Sequence, residues 1–88
     1  MTLTENDLAC LARHVQRETV DFSQHPPVWK PIPPNLLAHV RRKLADLPVP
    51  LVDNVCHLLE HCFGLSAVEG SVAIGFVFVD LAERVGLR

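Results

Sequence analysis

The sequence is short of positive charge. Its 88 residues include eight lysines and arginines against ten acidic residues, which gives a formal net charge of −2. A chain without a basic surplus lacks the long-range attraction to phosphate on which non-specific nucleic-acid binding depends. We therefore expect no nucleic acid among its partners.

Long apolar runs, an export signal and paired cysteines are missing as well. The longest uncharged apolar stretch, residues 70–79, is about half a membrane span. The start, M-T-L-T-E-N-D, lacks the basic and apolar regions of a secretory signal. The three cysteines are an odd number, which favours reduced thiols over a disulfide framework. These absences predict a cytoplasmic protein that does not enter a membrane.

Apolar residues, by contrast, make up 49% of the sequence. A chain of this length buries only about 60–65% of its unfolded surface when it folds, so a small domain has difficulty covering that much apolar surface. A second copy or another partner would cover the excess. We expect a single domain over residues 1–88 that binds another protein, most simply as a homodimer.

Apolar residues at helical spacing predict an all-α fold, a compact bundle of about four helices. The first three helices are expected at residues 5–19, 34–47 and 51–63. Thr4 and the acids that follow it form a good helix start, and proline is tolerated in the first turn of the second helix. Gly64 is expected to end the third helix.

The remaining stretch, from Ser66 to Val85, predicts a fourth helix. Ser66 and Glu69 form an S-x-x-E capping box, and Gly86 suits a left-handed helix end. A narrow polar stripe at helical spacing consists of Glu69, Asp80, Glu83 and Arg84. The alternative is a buried strand over residues 72–79, because valine, isoleucine and phenylalanine favour strands.

A proline-rich segment separates the first two helices. Five of the seven prolines fall between Pro26 and Pro34, which predicts an extended loop without helix or inner strand. This loop could wrap over the helices and enlarge the core, through Phe22, Val28, Trp29 and Ile32. Alternatively, it could present Trp29 or the Pro31–Pro34 run to a partner.

The fourth predicted helix has more apolar surface than one packing layer can cover. Phe76 lies in the same angular sector as Glu69 and Asp80, whereas Phe78 lies on another side. This pattern favours a twofold dimer contact, unless the Trp29 segment covers Phe76 within the monomer. The predicted partner-binding residues are Trp29, Phe76 and Phe78, with a polar rim of Arg41, Arg42 and Lys43.

Two pairs of possible metal ligands give an alternative function. His57 and His61 are four residues apart on a predicted helix, so that both imidazoles can reach one zinc ion. Their order with Glu60, H-x-x-E-H, resembles the inverted zinc-peptidase motif, but such enzymes need a further distant ligand and a far longer chain. Cys10 and His14 form a second such pair. The alternative is therefore a zinc-type metal-binding regulatory protein that uses all four residues.

No motif names a reaction. Cys56 and Cys62 fall on the predicted core face, where a thiol is inert, and Cys10 has no identifiable oxyanion donor beside it. We expect a non-enzymatic protein without a cofactor, acting as a regulator, adaptor or small subunit.

Overall fold

Four α-helices and one pair of short strands make up the computed structural model, which describes residues 3–88. The helices are Glu5–Thr19 (α1), Pro34–Lys43 (α2), Val49–Glu60 (α3) and Ala67–Arg84 (α4). The radius of gyration, 12.6 Å, is close to the value of about 12 Å expected for a compact domain of this length. The predicted compact, mostly helical fold is confirmed.

Local capping sets the start of α1. The Thr4 hydroxyl accepts a hydrogen bond from the Asp7 backbone N–H at 3.1 Å, and the Asp7 carboxylate accepts one from the Thr4 N–H at 2.8 Å. This reciprocal pair satisfies two backbone donors that a helix start leaves free. The buried face of α1 consists of Leu8, Leu11, Ala12, Val15 and Thr19.

The fourth predicted helix is also confirmed, and the alternative strand over residues 72–79 is wrong. Ser66 caps α4 by accepting from the Glu69 N–H at 3.1 Å. The Glu69 carboxylate accepts from the Ser66 hydroxyl, so the second bond of the predicted capping box is replaced by a side-chain bond. At the other end, Gly86 adopts φ 78°, and the Leu87 N–H reaches the Ala82 carbonyl at 2.8 Å. This bond belongs to a left-handed helix end, which glycine adopts without strain.

The middle helices differ from their predicted bounds. The second helix ends at Lys43 instead of just before Pro48, because Leu44 leaves the helical conformation and residues 44–46 form a turn. The third helix begins two residues earlier than predicted, since Pro50 falls in its first turn, where no backbone donor is needed. It ends at Glu60, so Phe63, the last residue of the predicted helix, lies 63% exposed in the turn that follows.

The segment between α1 and α2 contains strands where none was predicted. Val20–Asp21 (β1) and Val28–Trp29 (β2) pair antiparallel, with Val20 opposite Trp29. The prolines flank β2 without interrupting it, so Val28 and Trp29 keep their backbone donors. On its other side, β2 bonds the turn before α4: the Trp29 N–H donates to the Leu65 carbonyl at 2.8 Å.

Helix α4 is central to the packing, since it contacts α1, α3 and β2. The Trp29 side chain is 1% exposed and lies against Gly70 of α4. A Cβ atom added at Gly70 would lie 2.5 Å from the Trp29 Cε3 atom. Glycine is therefore needed at this position to let the indole ring reach the helix backbone.

Two helical glycines give a matched test of this packing. Gly70→Ala should lower the free energy of unfolding by about 1–2 kcal/mol, because the buried Trp29 ring must shift to admit the methyl group. Gly75→Ala should raise it by about 0.5–1 kcal/mol, because no atom lies within 4 Å of its added Cβ and alanine favours the helix. Urea denaturation measures both, and equal stabilisation by the two changes would contradict the contact.

Candidate functional site

The outward face of α4 carries an apolar stripe, which we call the α4 stripe and define as Val68, Val72 and Phe76. Their spacing of four residues places them along one side of the helix. They are 75%, 54% and 71% exposed, respectively. Half-buried Val79 continues the line. The Trp29 segment does not cover Phe76, so the monomer leaves this side chain in solvent.

Acidic residues border the α4 stripe on the polar side of the helix. At about 100° per residue, Glu69, Asp80 and Glu83 fall within or beside the sector of Phe76. Asp80 is paired with Arg84 at 2.7 Å, an exposed ion pair within the same helix. Glu69 and Glu83 have no ion-pair partner within the described part of the chain. The border of the stripe is therefore acidic.

Two of the predicted partner-binding residues are buried, and the prediction for them is corrected here. Trp29 is 1% exposed, because backbone hydrogen bonds hold β2 on both sides and its ring fills the space above Gly70. Phe78 is 3% exposed, because it lies two positions after Phe76, on nearly the opposite side of α4, facing the core. Neither side chain is available to a partner in this conformation.

The basic cluster does not form a rim around the α4 stripe. Arg41 is bound to Asp53 at 2.6 Å, which ties α2 to α3. Arg42 and Lys43 line a surface groove between α1 and α2. Arg41 therefore links two helices, and Arg42 and Lys43 line the α1–α2 surface groove.

The predicted four-residue metal site is not assembled within the chain. His57 and His61 are together on the exposed side of α3, with their Nε2 atoms 3.0 Å apart. Cys10 instead accepts a hydrogen bond from Arg13 at 3.3 Å, and His14 lies beside His39. Over residues 3–88, no three histidine, cysteine or acidic side chains converge on a position for one metal ion. Of the four predicted ligands, His57 and His61 are the two whose nitrogens lie close together.

A second histidine pair joins α1 to α2. The rings of His14 and His39 have centroids 5.0 Å apart, a pairing that was not predicted from the sequence. Burial lowers the pKa of His39, and the neighbouring His14, Lys43 and Arg42 lower it further. Finding this pair requires knowing how α1 packs on α2, which helical spacing within either segment does not reveal.

The three thiols differ in accessibility. Cys56 and Cys62 are buried, as predicted, and burial raises the pKa of both. The Cys62 thiol donates to the Leu58 carbonyl at 3.5 Å. Cys10 is exposed, and all three thiols are free.

Comparison with known proteins gives no further guidance: no family model, curated protein or solved structure matches this chain. Within residues 3–88, no helix has both the length and the apolar character needed to cross a membrane.

Thiol labelling tests the assigned faces of α1 and α3. Under native conditions, Ellman's reagent should react rapidly with one thiol per chain, because only Cys10 is accessible and thiolate formation at Cys56 and Cys62 is disfavoured by burial. Cys10→Ser should remove the rapid reaction, and all three thiols should react in denaturant. Rapid reaction of Cys56 or Cys62 in the folded protein would contradict the assigned faces.

Proposed function

We propose that this protein is a small non-enzymatic protein–protein interaction module of the cytoplasm, a regulator, adaptor or small subunit that acts as a homodimer through the α4 stripe. The observation that carries the proposal is the exposure of three apolar side chains in one line on the most central helix. Exposed apolar residues in a contiguous row are typical of interaction surfaces. The three free thiols support a reducing compartment.

The area of the α4 stripe supports a role at the centre of an interface. Its three side chains expose roughly 400 Å² of apolar surface, which is within the range of the largest patch on a typical monomer. A stable dimer buries about 800 Å² on each partner, so neighbouring residues would supply about half. Half-buried Ser71 and Val79 are small or apolar neighbours suited to that part. Gly70, in contrast, is already covered by Trp29.

The charges bordering the stripe distinguish a second copy from a basic partner. A twofold dimer packs the α4 helices of two copies against each other and so brings two acidic borders together. Added salt should strengthen this homodimer by screening their repulsion. A complex with a basic partner should weaken under the same conditions. Sedimentation measured at increasing ionic strength therefore distinguishes a homodimer from a complex with a basic partner.

Phe76→Asp should dissociate the homodimer. An aspartate at the centre of an apolar contact costs at least about 2 kcal/mol, which raises the dissociation constant by about 30-fold or more. Native mass spectrometry at low micromolar concentration should therefore show twice the 9.8 kDa chain mass for the unchanged protein and the chain mass for the variant.

A matched control is available at Phe22, which is 70% exposed but lies in the segment between the strands. Phe22→Asp should leave the dimer intact. Circular dichroism verifies that both variants keep their helices. A Phe76→Asp variant with unchanged mass and unchanged helicity would overturn the proposed interface.

A second candidate function, metal-dependent regulation, rests on the 3.0 Å separation of the His57 and His61 Nε2 atoms. Two imidazole nitrogens bound to one tetrahedral zinc ion at about 2.0–2.1 Å lie about 3.3 Å apart, so a small ring movement admits the ion. Water, or the same pair from a second copy, would complete the coordination. We propose this pair, without Cys10 and His14, as the site of a zinc-class cation.

Isothermal titration with zinc chloride tests this candidate. One ion should bind per chain, or one per two chains if two copies share it, and binding should weaken on acidification because protons compete for the nitrogens. His57→Ala and His61→Ala should each abolish binding, whereas His25→Ala, a change at an exposed histidine outside α3, should not. Binding that survives either α3 change would exclude the pair as the site.

A further inference from the structure

The groove between α1 and α2 concentrates positive charge without pairing it. We define this α1–α2 groove by its seven charged or imidazole side chains, Asp7, His14, Arg17, Glu18, His39, Arg42 and Lys43. It has two openings, of about 480 Å³ beside Lys43 and about 380 Å³ beside Arg42. His14 and His39 line both openings.

The three cations of the groove have no ion-pair partner. Within residues 3–88, no carboxylate lies within 4.0 Å of the charged nitrogens of Arg17, Arg42 or Lys43. Arg17 instead lies with its Nη2 atom 3.4 Å from the His14 Nδ1 atom.

The acidic residues near the groove only partly offset this charge. Asp7 lies at the Lys43 end, but its carboxylate accepts two hydrogen bonds from Thr4, at 2.8 and 2.9 Å. Glu18 lies at the opposite end, beside Asn35. The three cations of the groove outnumber these two carboxylates, so the groove as a whole favours an anion.

We propose that the α1–α2 groove binds a small phosphate-class oxyanion at the His14–His39 pair, which its two openings share and which supplies imidazole donors. Arg17 and Lys43 would reach the anion from one opening and Arg42 from the other. Guanidinium groups bind tetrahedral oxyanions through two parallel N–H bonds, and lysine adds a point charge. A bound anion favours the protonated imidazole, so anion binding and protonation of His39 strengthen one another.

This linkage fixes the sign of the pH dependence. Because the pKa of His39 is lowered in the free protein, the ring is neutral at neutral pH and gains its charge only on acidification. The charged and titratable groups that face it across the groove all belong to α1 and are Asp7, Cys10, His14, Arg17 and Glu18. Its own helix adds Arg42 and Lys43. Anion binding should therefore tighten as the pH falls through the pKa of His39.

The histidine resonances in NMR spectra measure this binding directly. With millimolar sodium phosphate, the pKa of His39 should rise and shifts should be largest for His14 and His39, while sodium chloride at equal ionic strength should leave both unchanged. Sulfate, which does not titrate in this range, should bind more tightly at mildly acidic pH. The affinity for O-phosphoserine, compared with that for inorganic phosphate, shows whether the groove prefers a phosphate ester or free phosphate. Equal effects of phosphate and chloride would overturn the proposal, since they indicate screening alone.

Substitutions of cations inside and outside the groove give a matched test of the site. Arg42→Ala and Lys43→Ala should each weaken phosphate binding by about tenfold, the effect of one charge-assisted hydrogen bond. The controls Arg84→Ala and Lys30→Ala lie outside the groove and should leave the affinity unchanged. Glu18→Gln should tighten binding, because it removes a competing carboxylate that lines the groove. Weakening by Arg84→Ala equal to that by Arg42→Ala would assign the effect to net charge and overturn the site.

Discussion

The contact between Trp29 and Gly70 is the constraint on which the rest of the structure depends. The indole ring is buried directly against the α4 backbone, and β2 is held by β1 on one side and by the turn before α4 on the other. One aromatic side chain thereby joins the segment between α1 and α2 to the helix that contacts α1 and α3. The arrangement leaves the Trp29 Nε1–H and the Thr19 hydroxyl buried without a partner within residues 3–88, a cost of about 1–3 kcal/mol each.

This contact also decides which side of α4 is left in solvent. With Trp29, α1 and α3 occupying one side of the helix, the core takes Gly70, Ile74, Phe78 and Leu81. The opposite side keeps the α4 stripe exposed, although its residues are as apolar as those inside. A single-layer packing cannot cover both sides of such a helix, and the homodimer proposal follows from that surplus.

The helices were predictable from the sequence where their signals are local. Thr4 and Asp7 cap α1 through side chains three residues apart, and Gly86 ends α4 through its own backbone conformation. The bounds of α2 and α3 were less accurate, because the apolar pattern continues past Lys43 into the turn that holds Leu44 and Leu47. The strands were missed, because β2 is stabilised by partners far away in sequence, such as Leu65.

The functional surfaces were predictable only in part, for the same reason. The exposure of Phe76 follows from its position beside the polar stripe of its own helix. The burial of Trp29 depends on Gly70, forty-one positions away, and the His14–His39 pair depends on the packing of α1 against α2. Arg41 was expected to border an interface but is held by Asp53 of the next helix. The environments of these side chains are therefore set by contacts between distant segments, which helical periodicity does not predict.

The most direct test of the homodimer is an isotope-filtered NMR measurement on a mixture of ¹³C-labelled and unlabelled protein. It detects only contacts between a labelled copy and an unlabelled one. The proposed interface predicts intermolecular NOEs from the Phe76 ring protons to the methyl groups of Val68, Val72 or Val79 of the second copy. Intermolecular NOEs confined to another surface, or none at a concentration where sedimentation shows only the chain mass, would contradict it.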